Sequence, residues 1–263
     1  MESELFVLGI DPAPAKASVL FDWKEFLYFF PKELQQYLQE KEQEKPLFIS
    51  WDAPLSAALD DASFSLTIRP IERFFNRLGR HAKALGIPEG ITTLGYASCP
   101  HWTLSQYIFA LPKLHYDLHR EGNYKLLMED STILQERTHY ITEIHPALSL
   151  WIFFHKEFAN DPLFRDSWKY KGDRNKETLL RRERLSEAVL VLAQRYFAVN
   201  KLVIASDDEL DAFVCWFVAK LYLDEEREAA IYGNTQVGSF LLPFDPAIKQ
   251  AFSSYIKTLK PLK

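Results

Sequence analysis

Glycine and cysteine are scarce in this sequence. Its 263 residues include nine glycines and two cysteines. So few glycines argue against long flexible linkers. The two cysteines, Cys99 and Cys215, cannot form a disulfide framework, and Cys215 lies in an apolar run that we expect to be a buried helix. Because a chain of this length can bury one large core, we predict a single domain over residues 1–263 that is held together by packing.

An excess of positive charge is also absent. The formal net charge is −5, whereas a dedicated nucleic-acid-binding protein usually carries a basic surface. This balance argues against tight, non-specific DNA binding, but it is compatible with an enzyme whose carboxylates are neutralised by metal ions. No apolar run approaches the roughly 20 residues that span a bilayer, and residues 1–4 show no signal-peptide pattern. We therefore expect a soluble, cytoplasmic protein with no membrane partner.

Glycine-rich phosphate-binding turns are missing as well. The sequence contains no P-loop and no GxGxxG turn, and it lacks a serine nucleophile elbow. The first apolar run ends in Asp11-Pro12-Ala13-Pro14, where an enzyme of the actin-like or sugar-kinase type would carry glycine. A nucleotide-phosphate enzyme on that architecture is therefore kept only as an alternative.

The order of the apolar segments predicts an α/β fold. Three β-rich runs, over Leu5–Ile10, Ala17–Trp23 and 26–30, precede a helix over 32–43 and a strand over 47–51. Strands that alternate with helices after such an opening are typical of a mixed sheet with helices on both faces. The opening order, strand–hairpin–helix–strand, is that of the ribonuclease H fold.

The rest of the chain is predicted to be mainly helical. A helical insertion is expected at about 60–135, and short strands are expected over Tyr140–Ile144 and Leu202–Ala205. The tail after the last long helix is predicted to be mostly loop because of its prolines. The predicted helices cover residues 71–85, 113–120, the amphipathic segment from Arg184 to Tyr196, Ser206 to about Leu223, and a short segment near 247–259.

Three predicted strands end in an acidic residue: Asp11, Asp52 and Glu143. Ligand sites of α/β sheets lie at the carboxyl ends of strands. Acids that converge there repel one another unless protons or cations intervene. Mg²⁺ or Mn²⁺ suits such a site, because these ions bind hard oxygen ligands. For each acid alone, a turn-capping role is an equally good interpretation.

The last long helix begins with a cluster of acids that includes Asp208 and Asp211. Ser206 and Glu209 form the pattern of a capping box, which accounts for the start of the cluster without a functional role. Asp211 is different, because its neighbours at helical spacing are apolar and a buried carboxylate needs a partner. Asp208 lies three residues before it on the same face. The sequence thus predicts Asp211 as a metal ligand, with Asp208 in support.

Further polar residues are candidates for contacting a substrate. His145 alternates with Glu143 on a strand and could orient a water or carry a proton, although a strand-end histidine bonded to a backbone carbonyl explains it equally well. Lys169 and Lys171 lie before a basic helix and could hold phosphates. His115 and His119 have the i, i+4 spacing of zinc ligands, but a solvated helix face is the better explanation for them.

At these residues the chain resembles the domain of unknown function 429 family, predicted nucleases with a ribonuclease H-like fold. The matching pieces occur in order along nearly the whole chain. They are Gly9-Ile10-Asp11, Asp52-Ala53-Pro54-Leu55, Glu143-Ile144-His145-Pro146, the basic segment leading to Leu179-Leu180, and Asp208-Glu209-Leu210-Asp211-Ala212.

The resemblance implies a ribonuclease H-like mixed sheet and a carboxylate-held Mg²⁺ or Mn²⁺ site. It implies that Asp11, Asp52, Asp208 and Asp211 hold metal, with Glu143 beside them. Together with the strand-end pattern, this leads us to predict Asp11, Asp52, Glu143 and Asp211 as the metal ligands, with Asp208 in support. The predicted function is a metal-dependent nuclease or related phosphodiesterase, with nucleic acid as the candidate substrate. A non-enzymatic binding domain on the same fold is the other alternative, and the acidic net charge is compatible with it.

Overall fold

The computed structural model describes most of the chain. The described residues are 5–55, 69–76, 79–88, 91, 99–109, 124–130, 134–135, 137–172, 174–199, 202–224 and 226–259. The predicted helix over 113–120, with His115 and His119, lies outside these residues, and so does much of the predicted insertion at about 60–135.

A six-stranded sheet forms the centre of the described structure, with the strand order β3-β2-β1-β4-β6-β5. Only β2 runs antiparallel to its neighbours, and the other pairings are parallel. Four of the six strands are almost wholly buried, which is why they appear in the sequence as continuous apolar runs. The strands are β1 (Phe6–Asp11), β2 (Ser18–Phe21), β3 (Phe26–Phe29), β4 (Leu47–Trp51), β5 (Tyr124–Leu126) and β6 (His139–Glu143).

Helices cover both faces of this sheet, as predicted. One face packs against α8, which crosses β1, β2 and β4, together with α5 and α7. The other face packs against the apolar sides of α1 and α4. The helices are α1 (Pro31–Glu44), α2 (Pro70–Phe75), α3 (Arg80–Leu85), α4 (Cys99–Phe109), α5 (Pro146–Phe154), α6 (Pro162–Arg165), α7 (Lys176–Tyr196), α8 (Asp207–Leu223) and α9 (Pro246–Thr258).

A separate two-stranded sheet follows α8, where a loop was predicted. Its strands are β7 (Ala229–Asn234) and β8 (Gly238–Pro243), and a bridge between Ile144 and Leu241 links it to the end of β6. The turn is held by Asn234, whose side chain accepts hydrogen bonds from the backbone of Gln236 and Val237. The prolines that favoured a loop stand at or beyond the end of β8, where they do not interrupt its pairing.

Two other predictions need correction. Leu202–Ala205 has no regular secondary structure and pairs with no strand among the described residues. The predicted helix over 71–85 is two short helices, α2 and α3, with Asn76 and Gly79 in extended conformation between them.

The described structure is thus a mixed α/β fold with a mostly parallel central sheet. None of its described helices combines the length and the apolar character that crossing a bilayer requires.

Candidate functional site

Three carboxylates converge at the carboxyl edge of the central sheet. Asp11 is the last residue of β1, Asp52 follows β4 directly, and Asp211 lies in the second turn of α8. One oxygen of each lies within 4.8 Å of the others. Asp11 and Asp52 are neighbours because β1 and β4 pair in parallel, and the Asp52 amide donates to the Ile10 carbonyl at 3.0 Å.

Asp211 reaches this edge because α8 lies directly on the backbone of β1. A Cβ atom at Gly9 would lie 2.2 Å from both the Ala212 carbonyl oxygen and the Trp216 amide nitrogen. Only glycine permits this approach. Asp211 precedes Ala212, so the contact sets its carboxylate at the level where β1 ends. The glycine of the Gly9-Ile10-Asp11 piece therefore has a packing reason.

Burial and mutual repulsion raise the pKa values of all three carboxyl groups. Burial, followed by the charge of Asp211, raises the pKa of Asp11 well above its usual range. Burial raises the pKa of Asp211 to about 6, although the ammonium of Lys171 opposes that shift. Burial also raises the pKa of Asp52, again opposed by Lys171. Without a cation, the cluster therefore favours protonated carboxyls.

The ammonium group of Lys171 provides positive charge beside the three carboxylates. Its Nζ lies 2.5 Å from one oxygen of Asp211 and 3.6 Å from one of Asp52. Although burial lowers it, the Asp211 and Asp52 carboxylates raise the pKa of Lys171 well above normal. The hydroxyl of Tyr170 donates to the other oxygen of Asp211 at 2.5 Å. About half of the Lys171 side chain is exposed (51%), whereas the Asp211 side chain that it pairs with is buried.

The first turn of α8 fixes the segments around the site. Asp207 accepts a hydrogen bond from the Gly172 amide at 3.0 Å and pairs with Arg182 at 3.2 Å. Asp208 pairs with Lys16, which lies between β1 and β2. These acids therefore hold two loops against the cluster.

The predicted capping box is confirmed, since Glu209 accepts from the Ser206 amide and the Ser206 hydroxyl accepts from the Glu209 amide. Glu209 also accepts a hydrogen bond from Tyr28 of β3.

Glu143 lies apart from the three aspartates, in a buried ion network. Its oxygens accept from Arg69 at 2.5 and 2.8 Å, and one also accepts from the Leu55 amide at 3.0 Å. Arg69 is bonded as well to Glu72, and all three side chains are almost fully inaccessible. Glu143 remains close enough for its charge to raise the pKa of Asp52. Its oxygens are thus already engaged in the structure described.

The other two residues predicted to contact a substrate, His145 and Lys169, have different surroundings. His145 is the N-cap of α5, and its Nδ1 accepts from the Leu148 amide at 3.2 Å. The predicted structural alternative was a bond to a backbone carbonyl, so this contact with a backbone amide differs from it. Lys169 is exposed, and its amide donates to the Ser167 hydroxyl at 3.2 Å.

Sequence reasoning missed three residues that shape the site: Tyr170, Asp207 and Arg69. Tyr170 and Asp207 directly precede Lys171 and Asp208, which were predicted as site residues. Their positions in the sequence could therefore have indicated them. Arg69 had no such signal, because its partner Glu143 is distant along the chain.

The donor set fits a hard divalent cation. Asp11, Asp52 and Asp211 offer only carboxylate oxygens, which Mg²⁺ and Mn²⁺ prefer. The ammonium between two of them marks a position where positive charge is stable. Among the residues that the structure describes, these three form the one group with metal-ligand geometry.

The fold and this cluster define an α/β protein with a three-aspartate group at the carboxyl edge of a mostly parallel sheet. Residues 123–236 match the model of the family described as Protein of unknown function (DUF429), which confirms the family predicted from the sequence. No curated protein and no solved structure gives a significant match to the chain.

Proposed function

We propose that this protein is a metal-dependent nuclease or related phosphodiesterase with a ribonuclease H-like fold. The convergence of Asp11, Asp52 and Asp211 carries the proposal. A sheet in which a hairpin precedes two parallel crossovers, with β2 antiparallel and β1 beside β4, supports the fold assignment. In such a sheet, a site at the carboxyl ends of β1 and β4 is where ligands are expected.

The three aspartates would hold Mg²⁺ or Mn²⁺ through their carboxylate oxygens. Such an ion supplies a Lewis acid for a phosphodiester and makes water a stronger nucleophile at neutral pH. Asp207 and Asp208 would keep the loops that carry Lys171 and Lys16 next to the cluster. Glu143, engaged by Arg69, would act by positioning the strand end rather than as a primary ligand.

Lys171 has two roles in this proposal. It neutralises the aspartates in the structure, and it would contact a phosphate of the substrate if a metal ion took over that charge. Lys169 and Lys16 are exposed and would contact the backbone of a nucleic acid. His145 would contribute through its N-cap contact, which fixes the start of α5 next to Glu143.

Mn²⁺ calorimetry tests the metal site first. Binding is expected for the wild type and is expected to vanish in the Asp11→Asn/Asp211→Asn variant. That variant should remain folded, because asparagine keeps the shape of the aspartate side chain and the change removes the repulsion between clustered carboxylates. A variant with two exposed acids changed, Asp166→Asn/Glu177→Gln, loses the same charge and should bind like the wild type.

Cleavage of single-stranded, branched and hybrid nucleic acids in the presence of Mn²⁺ tests the activity. Asp211→Asn is expected to abolish cleavage with little loss of fold. An Asp211→Asn variant that stays active and responds to metal would contradict the proposal.

The Lys171 contact favours a second candidate, a binding domain without catalysis. If the ammonium is a permanent partner of Asp211 and Asp52, the cluster is a closed ion network and needs no metal. Wild-type protein that binds no Mn²⁺, and a Lys171→Gln variant that still binds none, would establish this second candidate.

A further inference from the structure

A large cavity opens at the other end of the sheet from the aspartates. It has a volume of about 710 Å³ and is formed by the start of β1, the β2–β3 turn and the C-terminal ends of α1, α7 and α8. Phe6 begins β1 and lines this cavity, whereas Asp11 ends the strand. Five residues of extended chain separate the two by about 16 Å. The cavity is therefore distinct from the candidate metal site.

The cavity is basic although the chain is acidic overall. Lys24, Lys41, Lys45 and Lys220 line it, against the single carboxylate of Asp22. Among the described residues, Lys24, Lys45 and Lys220 form no ion pair, while Lys41 pairs with Glu44 at 2.8 Å. Three ammonium groups that share a cavity and have no carboxylate partner create a site for a negative ligand.

Aromatic rings stand beside these lysines. The Nζ of Lys45 lies 3.8 Å from the ring centroid of Phe6, and that of Lys220 lies 5.4 Å from the centroid of Phe197. Trp23 also lines the cavity, and its side chain makes no ring contact or hydrogen bond within the part of the chain that is described. The cavity thus offers both cations and a ring surface without a stacking partner.

Trp23 is held in a strained backbone conformation. Its φ of 81° lies in the left-handed region, which bulky residues rarely adopt. Glycine or asparagine would adopt this conformation at lower energy. The residue is 38% exposed, so core packing does not account for the choice of tryptophan. Backbone strain that local packing does not explain points to a function of the side chain.

Helix dipoles explain part of the charge. Lys41 and Lys220 lie in the last turns of α1 and α8, where cations stabilise the terminal carbonyl groups. The helix dipoles do not account for Lys24, which lies in the β2–β3 turn, or for the presence of Trp23.

We propose that this cavity binds a nucleotide, with the base stacked on Trp23 and the phosphate held by Lys24, Lys45 and Lys220. Lysine ammonium groups bind phosphate as point charges, and aromatic side chains stack on bases of any sequence. The volume falls within the range of small-molecule sites. The proposal does not depend on the metal site, because none of its residues belongs to the aspartate cluster.

Calorimetric titration of the full chain with AMP in EDTA tests the proposal. EDTA removes divalent metal ions, so that metal-mediated binding at the aspartates does not contribute. We expect AMP to bind at least about tenfold more tightly than either adenosine or inorganic phosphate, because each supplies only one of the two contacts. Phosphate that binds as tightly as AMP, or an absence of AMP binding at millimolar concentration, would overturn the proposal.

Variants locate the site. Lys45→Gln/Lys220→Gln is expected to weaken AMP binding at least about tenfold, since two phosphate contacts are lost. The matched control, Lys83→Gln/Lys257→Gln, removes two exposed lysines elsewhere and should bind like the parent. Equal weakening in both double variants would show a non-specific effect of charge and would overturn the assignment.

Trp23→Gly separates binding from folding. Glycine relieves the left-handed strain, so the melting temperature should stay the same or rise while AMP binding falls at least about tenfold. A Trp23→Gly variant that binds AMP normally would remove the base-stacking part of the proposal. A variant with a lowered melting temperature would show that the tryptophan is structural, and it too would count against the proposal.

Discussion

Lys171 decides how a divalent cation could enter the aspartate cluster. In the structure its ammonium lies 2.5 Å from Asp211, so on the proposed function a metal ion would compete with it for this carboxylate. The Lys171→Gln variant removes this competitor. We therefore expect calorimetry to show Mn²⁺ binding about tenfold tighter than in the wild type, since one charged hydrogen bond contributes on the order of 1.5–3 kcal/mol. The metal-free variant should also melt at a lower temperature, because the aspartates lose their counter-ion.

The matched control for this prediction is Lys169→Gln. Lys169 lies two residues earlier and is exposed, and its side chain forms no ion pair among the described residues. Its replacement should change neither Mn²⁺ affinity nor melting temperature. Weaker Mn²⁺ binding in Lys171→Gln would mean that the lysine supports the ion rather than competing with it.

The contact between α8 and β1 positions the site through Gly9. Gly9→Ala places a methyl group 2.2 Å from two backbone atoms of α8, which cannot move as a flexible side chain would. The helix must shift away from the strand. We expect a loss of about 1–3 kcal/mol in the free energy of unfolding, as for other overpacked cores, and weaker Mn²⁺ binding because Asp211 moves away from Asp11. Chemical denaturation and calorimetry measure the two effects.

Gly86→Ala is the control for this helix–strand contact. Gly86 has a φ of 73°, so alanine is strained there, but no atom lies within 4 Å of the added carbon. It should cost roughly 1 kcal/mol through the backbone alone and leave Mn²⁺ binding unchanged. A Gly9→Ala variant that behaves like Gly86→Ala would contradict the role assigned to the close contact.

The local part of this arrangement could be predicted from the sequence. Apolar runs that end in Asp11 and Asp52 indicated strands with acids at their carboxyl ends, and the apolar neighbours of Asp211 indicated its burial. The contacts between residues that are far apart in the sequence could not be predicted. Arg69 and Glu143 are 74 residues apart, and no periodicity connects them. The hairpin of β7 and β8 was missed because its two strands are short apolar runs without alternation, and the prolines nearby favoured a loop.

The stability of the whole protein should depend on pH because of the aspartate cluster. Burial raises the pKa of Asp211 to about 6 and raises those of Asp11 and Asp52. The folded protein thus binds protons more tightly here than the unfolded chain does. The resulting stabilisation is complete below the unfolded value of about 4 and is lost as the pH rises through about 6. Without metal, the melting temperature should fall between pH 4.5 and 7 by on the order of 5 °C.

Mn²⁺ should reverse this trend, because the ion binds the deprotonated carboxylates and stabilises only the folded state. At saturating Mn²⁺ we expect the melting temperature to rise between pH 5 and 7, where protons cease to compete. The buried Glu72 and Glu143 also have raised pKa values, owing to burial, so Asp11→Asn/Asp211→Asn is needed to isolate the cluster. In that variant, the fall in melting temperature without metal and the rise with Mn²⁺ should both become smaller. An undiminished decline would assign the pH dependence to the Arg69 network instead.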